Sequence, residues 1–401
     1  MVPGKTVLFV GDGMADEPVP ELDGRTPLQA AKTPAMDSIA RDGASGTLLT
    51  LPEGFATGSE VANMSLLGCD LATEYGGRGP LEAAGRGIIL GPGDIAFRLN
   101  LTTVEDGILR DFSGGRVAGE RAAALIDALN KHFGSDDVHF FPGISYRNLL
   151  VLSGPSYSHD VATEKPDDNH GEPVEEHLPR PRSPKAQATV EWLVRLIREA
   201  APVLEACEAN REAARNGRPV TNGVWPWSGG RAGTIRTLQE RYGITGAVIA
   251  AVDVIAGLGR CLGMDVIPVE GVTGYVDTNY EGKAQAAMDA LKDHDFVFVH
   301  VEGIDEVSHE QDLAGKLQAI EDFDARLVGP VLDAAGAVNA AVLPDHPVPL
   351  AIGRHTRTPV PVAVRREGLT PDTVDRFDEI ACATGSLGAM VNGDLMRILL
   401  G

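Results

Sequence analysis

Three apolar runs, each ending in acidic or histidine residues, limit what this chain can fold into more than any other feature. Thr6-Val-Leu-Phe-Val10 runs into Gly11-Asp12-Gly13, Asp295-Phe-Val-Phe-Val-His-Val301 into Glu302-Gly-Ile-Asp305, and Ala337-Val-Asn-Ala-Ala-Val-Leu343 into Pro344-Asp345-His346. A continuous apolar run is how a strand buried on both faces reads, and such strands belong to parallel sheets covered by helices. Amphipathic helical patterns over 282–293 and 313–335 lie between the runs. The alternation predicts an α/β fold with a mainly parallel sheet sandwiched by helices. In such sheets function gathers outside the carboxyl ends of the strands, where these acids and histidines stand.

The middle of the chain follows another grammar. Hairpin-like alternations over 95–101 and 107–112, a helix over 119–132 and a strand over 146–152 lead into a polar stretch over 153–184, rich in Pro, Asp, Glu and His. A long helix is expected from Lys185 to about Ala214. This block, 93–221, reads as a smaller α+β domain inserted into a core made of 1–92 and 222–401.

A formal net charge of -22 over 401 residues argues against nucleic acid or an anionic membrane surface as partner. Any phosphate must then be met locally, by a metal or an arginine, and a small-molecule substrate is expected. Cys69, Cys207, Cys261 and Cys382 lie far apart, with no spacing of a zinc knuckle or disulfide framework. No signal-like N-terminus is read, and the apolar stretch over 246–259 is broken by Asp253. These features predict a cytoplasmic protein.

Asp305 and His309 are four residues apart, so on a helical turn both point the same way, as metal ligands must. Asp12, Asp345, His346 and His355 follow the other two runs, and a parallel sheet would gather all of them on one edge. A mixed Asp/His set suits Mn²⁺ or Zn²⁺, with Mg²⁺ a third choice, and two close ions suit phosphoryl transfer. Singly, each residue reads as a solvated loop group. Ser59 opens an apolar helical pattern after Gly58, where free N–H groups and the helix dipole favour an incoming phosphate. The alternative is a helix-capping serine.

With these residues in place the chain resembles the archaeal-type cofactor-independent phosphoglycerate mutases of the alkaline phosphatase superfamily. The resemblance rests on Gly-Asp-Gly-Met at 11–14, Thr-Pro-Leu-Gln-Ala-Ala-Lys-Thr-Pro-Ala-Met-Asp at 26–37, Gly-Ser-Glu-Val-Ala-Asn at 58–63, Gly-Arg-Gly-Pro-Leu-Glu-Ala at 77–83 and Asp-Thr-Asn-Tyr-Glu-Gly-Lys at 277–283. It implies an alkaline-phosphatase-like fold and two divalent ions, one held by Asp12, Ser59, Asp345 and His346, the other by Asp305, His309 and His355. It further implies that Ser59 is phosphorylated, that the inserted domain closes over the substrate, and that His159 and Asp160 transfer protons and contact substrate. Arg147 and Lys283 join as substrate-binding candidates, Arg147 having a surface arginine as its alternative reading.

One segment departs from the family. Where the mutases show a Leu-Arg-Gly-Ala-Gly type sequence, this chain has Asn222-Gly-Val-Trp-Pro-Trp-Ser-Gly-Gly-Arg231, read as a tryptophan-rich turn. Trp225, Trp227 and Arg231 are taken as substrate contacts, with packing as the alternative for each ring. That version resembles a bacterial branch proposed to be homoserine kinases. The expectation is therefore a phosphotransferase acting through Ser59 on homoserine with a nucleotide such as ATP, the alternative being a mutase interconverting 3- and 2-phosphoglycerate. A phosphatase or decayed binding protein stands third.

Overall fold

The computed structural model describes residues 4–233 and 235–401, and the chain divides into two compact units, 1–75 with 235–401 and 76–234.

The first unit is built on an eight-stranded sheet. In spatial order its strands are Asp265–Val266, Gly246–Ile249, Phe296–Val301, Thr6–Gly11, Asn339–Pro344, Val360–Arg365, Ala44–Leu48 and Gly388–Met390. Among the described residues only Val360–Arg365 runs against the rest. The three apolar runs of the sequence form the three central neighbours, and every residue of those three strands is buried. Their register sets Gly11 opposite both Val301 and Pro344, so Asp12, Glu302 and Asp345 leave the sheet at one level. One core joins Val7, Phe9, Val297, Val299, Ala340 and Val342 to the helices Pro34–Arg41, Tyr280–Asp293 and Leu313–Phe323. The helical pattern expected over 313–335 is two helices, Leu313–Phe323 and Gly329–Ala335, joined by a wider π-type turn at Asp324–Val328.

The second unit is α+β, as expected, but its edges lie at 76 and 234 instead of 93 and 221. The strand Ile95–Glu105 pairs antiparallel with Ile108–Asp111, Arg147–Leu152 and Gly223–Arg231. Gly223–Arg231 thus belongs to this sheet by its backbone hydrogen bonds. The helix Arg78–Gly85 lies so close beneath that a Cβ at Gly79 would sit 2.1 Å from the Ala96 carbonyl oxygen. The supposed tryptophan turn is therefore a strand. The helix expected to run to Ala214 breaks at Cys207, whose ψ of 132° is extended, into Gln187–Ala206 and Glu208–Arg215. No helix of the described residues is long and apolar enough to cross a membrane. The four cysteines are free thiols.

A buried charge cluster fixes the helix Arg78–Gly85 to the sheet. Glu82 pairs with Arg98, receives a hydrogen bond from Arg78 Nε at 2.7 Å, and has Arg86 at 3.8 Å. Burial alone would raise its carboxyl, yet the guanidiniums of Arg98, Arg78 and Arg86 outweigh it and hold the group at about 2. Removing one partner of such a pair strands the other charge away from water. Glu82→Gln is expected to lose about 3–5 kcal/mol of stability in denaturant melts. The loss should be full above the ordinary glutamate value of 4.5 and shrink as pH falls toward 2, because the folded-state value is depressed. An unchanged midpoint at neutral pH would contradict this.

Candidate active site

Asp12 follows the strand Thr6–Gly11 and is fully buried. Its Oδ1 lies 3.2 Å from His346 Nε2 and its Oδ2 3.4 Å from Ser59 Oγ. Ser59 Oγ is also 3.2 Å from His346 Nε2. Asp345 is held in place from three sides: Oδ1 accepts from the N–H groups of Gly13 at 3.2 Å and His346 at 2.8 Å, and Oδ2 from Asn63 Nδ2 at 2.9 Å.

Ser59 begins the helix Ser59–Leu66, but Gly58 is the cap residue and no side chain caps that end. The capping alternative therefore fails: the buried hydroxyl is turned toward Asp12 and His346. Two contacts hold the loop before it. His355 Nδ1 lies 3.0 Å from the Thr57 carbonyl oxygen, and Arg357 donates to the carbonyls of Leu51 at 3.2 Å and Pro52 at 2.7 Å.

Asp305 and His309 share the helix Gly303–His309, one turn apart. His309 Nε2 lies 3.3 Å from Asp305 Oδ2, His355 Nε2 is 3.4 Å from Asp305 Oδ1, and the two imidazole nitrogens face each other at 2.9 Å. His346 stands between the two groups: its ring stacks on that of His355 at 3.9 Å. The ligand-type atoms of Asp12, Asp345 and His346 lie within 4.8 Å of one another, as do those of Asp305, His346 and His355.

The charges are in tension. Burial and the carboxylates of Asp345, Glu302 and Asp305 push Asp12 well above the usual range. Burial would raise Asp305 as well, but the imidazoles of His309 and His355 beside it overcome this and hold the group low. Asp345 is held at about 2 against its burial, chiefly by His346, while burial lowers His346 itself to about 4. Asp12 Oδ1, Asp305 Oδ1 and His346 Nδ1 are buried without a hydrogen-bond partner. Buried acceptors left in this state, in a mixed Asp/His set, fit divalent cations.

Sequence reasoning missed three residues. His300, fully buried inside the strand Phe296–Val301, sets Nε2 3.4 Å from Asp12 Oδ2. Glu302 lies 3.9 Å from its Nδ1. Asn63 bridges the Ser59 carbonyl, at 2.8 Å, to Asp345. A histidine within an otherwise apolar run was the available signal for His300, and Asn63 stands one helical turn after Ser59.

Three residues expected to contact substrate are buried and hydrogen-bonded within the protein. Lys283 is fully buried, donates to the His300 carbonyl at 2.8 Å, and has its ammonium lowered to about 8 by burial. Trp225 and Trp227 are buried in the second unit, where their Nε1 groups donate to the Glu164 carbonyl at 2.9 Å and Asn100 Oδ1 at 3.0 Å. The guanidiniums of Arg78 and Arg98 lie 5.8 and 5.3 Å from the Trp227 ring, so the packing alternative holds for both tryptophans. In the same unit His159 and Arg231 are exposed. Burial of part of its ring and the nearby Arg231 guanidinium lower the His159 imidazole, against the pull of Asp160. Arg147 is half-buried, with its guanidinium 5.2 Å from the Tyr146 ring.

The pattern of the metalloenzyme superfamily matches residues 4–400. Over 401 residues the chain is 46% identical to the 2,3-bisphosphoglycerate-independent phosphoglycerate mutase of Methanosarcina acetivorans, covering 99% of each. The chain belongs to the archaeal-type cofactor-independent phosphoglycerate mutase family. Its fold is similar to that of the PH0037 protein of Pyrococcus horikoshii, with a TM-score of 0.83, 29% identity, and 100% and 97% of the two chains covered. It is also similar to the cofactor-independent phosphoglycerate mutase of Thermoplasma acidophilum, with a TM-score of 0.66, 31% identity, and 99% and 98% covered. The homoserine kinase expectation finds no support: the relatives carry the name of the alternative.

Gly13 ties the two ligand groups together. Its φ is +63°, and a Cβ there would meet Asp305 Oδ1 at 2.7 Å. Gly13→Ala is expected to cost about 1–3 kcal/mol and to displace Asp305, so that added Mn²⁺ raises the melting temperature less than it does for the unaltered protein. An equal rise would contradict this.

Proposed function

We propose that the protein interconverts 3-phosphoglycerate and 2-phosphoglycerate without 2,3-bisphosphoglycerate, carrying the phosphoryl group on Ser59. The observation that supports this most is the Ser59 hydroxyl, buried, unused as a helix cap, and within 3.4 Å of Asp12 and 3.2 Å of His346. Two divalent ions are proposed, one with Asp12, Ser59, Asp345 and His346, the other with Asp305, His309 and His355. When bound, such ions lower the basicity of a coordinated hydroxyl and neutralise the charge on a transferring phosphoryl group.

The chain's own groups do the rest. Ser59 Oγ attacks phosphorus and gives up its proton, and the glycerate oxygen leaves and gains one. In the return step the other glycerate hydroxyl attacks the phosphoserine and gives up its proton, and Ser59 Oγ leaves and regains one. The N-terminal N–H groups of the Ser59 helix favour the anionic phosphoserine. Asn63 keeps the serine backbone and Asp345 in fixed relation. His159 and Asp160 are proposed to move the protons of the glycerate hydroxyls. Burial and the Arg231 guanidinium favour the neutral His159 imidazole, the form that can accept a proton. Arg147 and Arg231 are proposed to hold the carboxylate and phosphate. A glycolytic, cytoplasmic setting goes with this activity.

Ser59→Ala is expected to abolish turnover of 3-phosphoglycerate, assayed by formation of 2-phosphoglycerate, while leaving the fold intact. Residual turnover above a hundredth of the original would overturn the nucleophile assignment. Supplied with ATP and L-homoserine, the unaltered Mn²⁺-loaded protein should form no O-phosphohomoserine; if it does, the kinase returns.

A further inference from the structure

The ligand groups proposed above lie on loops and helices that follow different strands, and their carboxylates repel one another. Something outside the ligand set must hold the loops together. Lys316, on the helix Leu313–Phe323, is fully buried. Its Nζ donates to Asp16 Oδ2 at 2.8 Å, to the Val348 carbonyl at 3.0 Å and to the Ala15 carbonyl at 3.4 Å. Those acceptors use all three N–H groups of an ammonium. Two of them, from Ala15 and Asp16, lie just beyond Asp12, and Val348 lies just beyond Asp345 and His346.

Asp16 continues the tie. Its carboxylate accepts from the Leu350 N–H at 3.2 Å, in the loop that runs on to His355. Its own N–H donates to Glu379 Oε1 at 3.0 Å, whose other oxygen accepts from Thr26 Oγ1 at 2.6 Å. Asp16 and Lys316 side chains are 1% and 0% exposed. Two charges this deep are poor stabilisers compared with well-packed apolar side chains. A geometric role accounts for them better.

We propose that the Lys316–Asp16 pair is a positioning device for the metal centre, stapling the loop that carries Asp12 to the loop that carries Asp345, His346 and His355. The proposal rests on the metal-centre reading above. Outer groups that orient ligands commonly set metal affinity by 10–100-fold.

The test is calorimetric titration of Mn²⁺ into metal-free protein, with thermal denaturation alongside. The double variant Asp16→Asn/Lys316→Met removes both charges at similar volume and avoids stranding either. It should melt near the unaltered protein and bind Mn²⁺ with a Kd about 10–100-fold higher. A folded double variant with unchanged Kd would overturn the proposal, as would a lowered melting temperature with unchanged Kd, which leaves only a structural role. Should the double variant not fold, Asp16→Asn alone, which keeps both carbonyl acceptors of Lys316, decides on the same Kd criterion. Failure of the unaltered protein to take up Mn²⁺ would sink the metal centre itself, a result distinct from the others.

Discussion

Asp12, Asp305 and Asp345 are carboxylates withdrawn from water and set against one another at the ends of three neighbouring strands, an arrangement that demands positive charge among them. The sheet register creates the demand, because Gly11, Val301 and Pro344 are level. Asp305 is eased by His309 and His355 and Asp345 by His346 and His300, while burial and the carboxylates of Asp345, Glu302 and Asp305 drive Asp12 upward despite His346 and His300 beside it. The strongest local need for a cation thus falls on a residue 3.4 Å from the Ser59 hydroxyl, where a phosphoryl acceptor gains from one.

The surrounding structure serves that arrangement by rigidity. Gly13 admits Asp305 where no other residue would, Asn63 links the nucleophile's helix to Asp345, and His355 and Arg357 grip the loop ahead of Ser59. These contacts are directional, and several use backbone carbonyls, so they fix loop paths without adding another carboxylate.

Much of this was legible in the sequence because it rests on strand-scale patterns. The runs at 6–10, 295–301 and 337–343 match their strands to within two residues at each end, and the acids and histidines beyond them do converge. What escaped depends on direction and partner. Lys283 matched a family motif, but a motif says nothing of a side chain's partner, and this one donates to the His300 backbone carbonyl. The segment 222–231 carries Pro226 and three glycines, which read as a turn. Pairing with Ile95–Glu105 made it a strand and buried both tryptophans. The unit edge at 76 was missed since the helix Arg78–Gly85 is recruited by Arg98 in a strand the sequence had set in another domain.

The account stands or falls on two ions being held at the ends of these strands beside Ser59. Anomalous diffraction at the manganese edge from crystals grown with Mn²⁺ tests it directly. Two peaks are predicted, one among Asp12, Ser59, Asp345 and His346 and one among Asp305, His309 and His355. Crystals of the saturated protein with no peak beside Ser59 would contradict it.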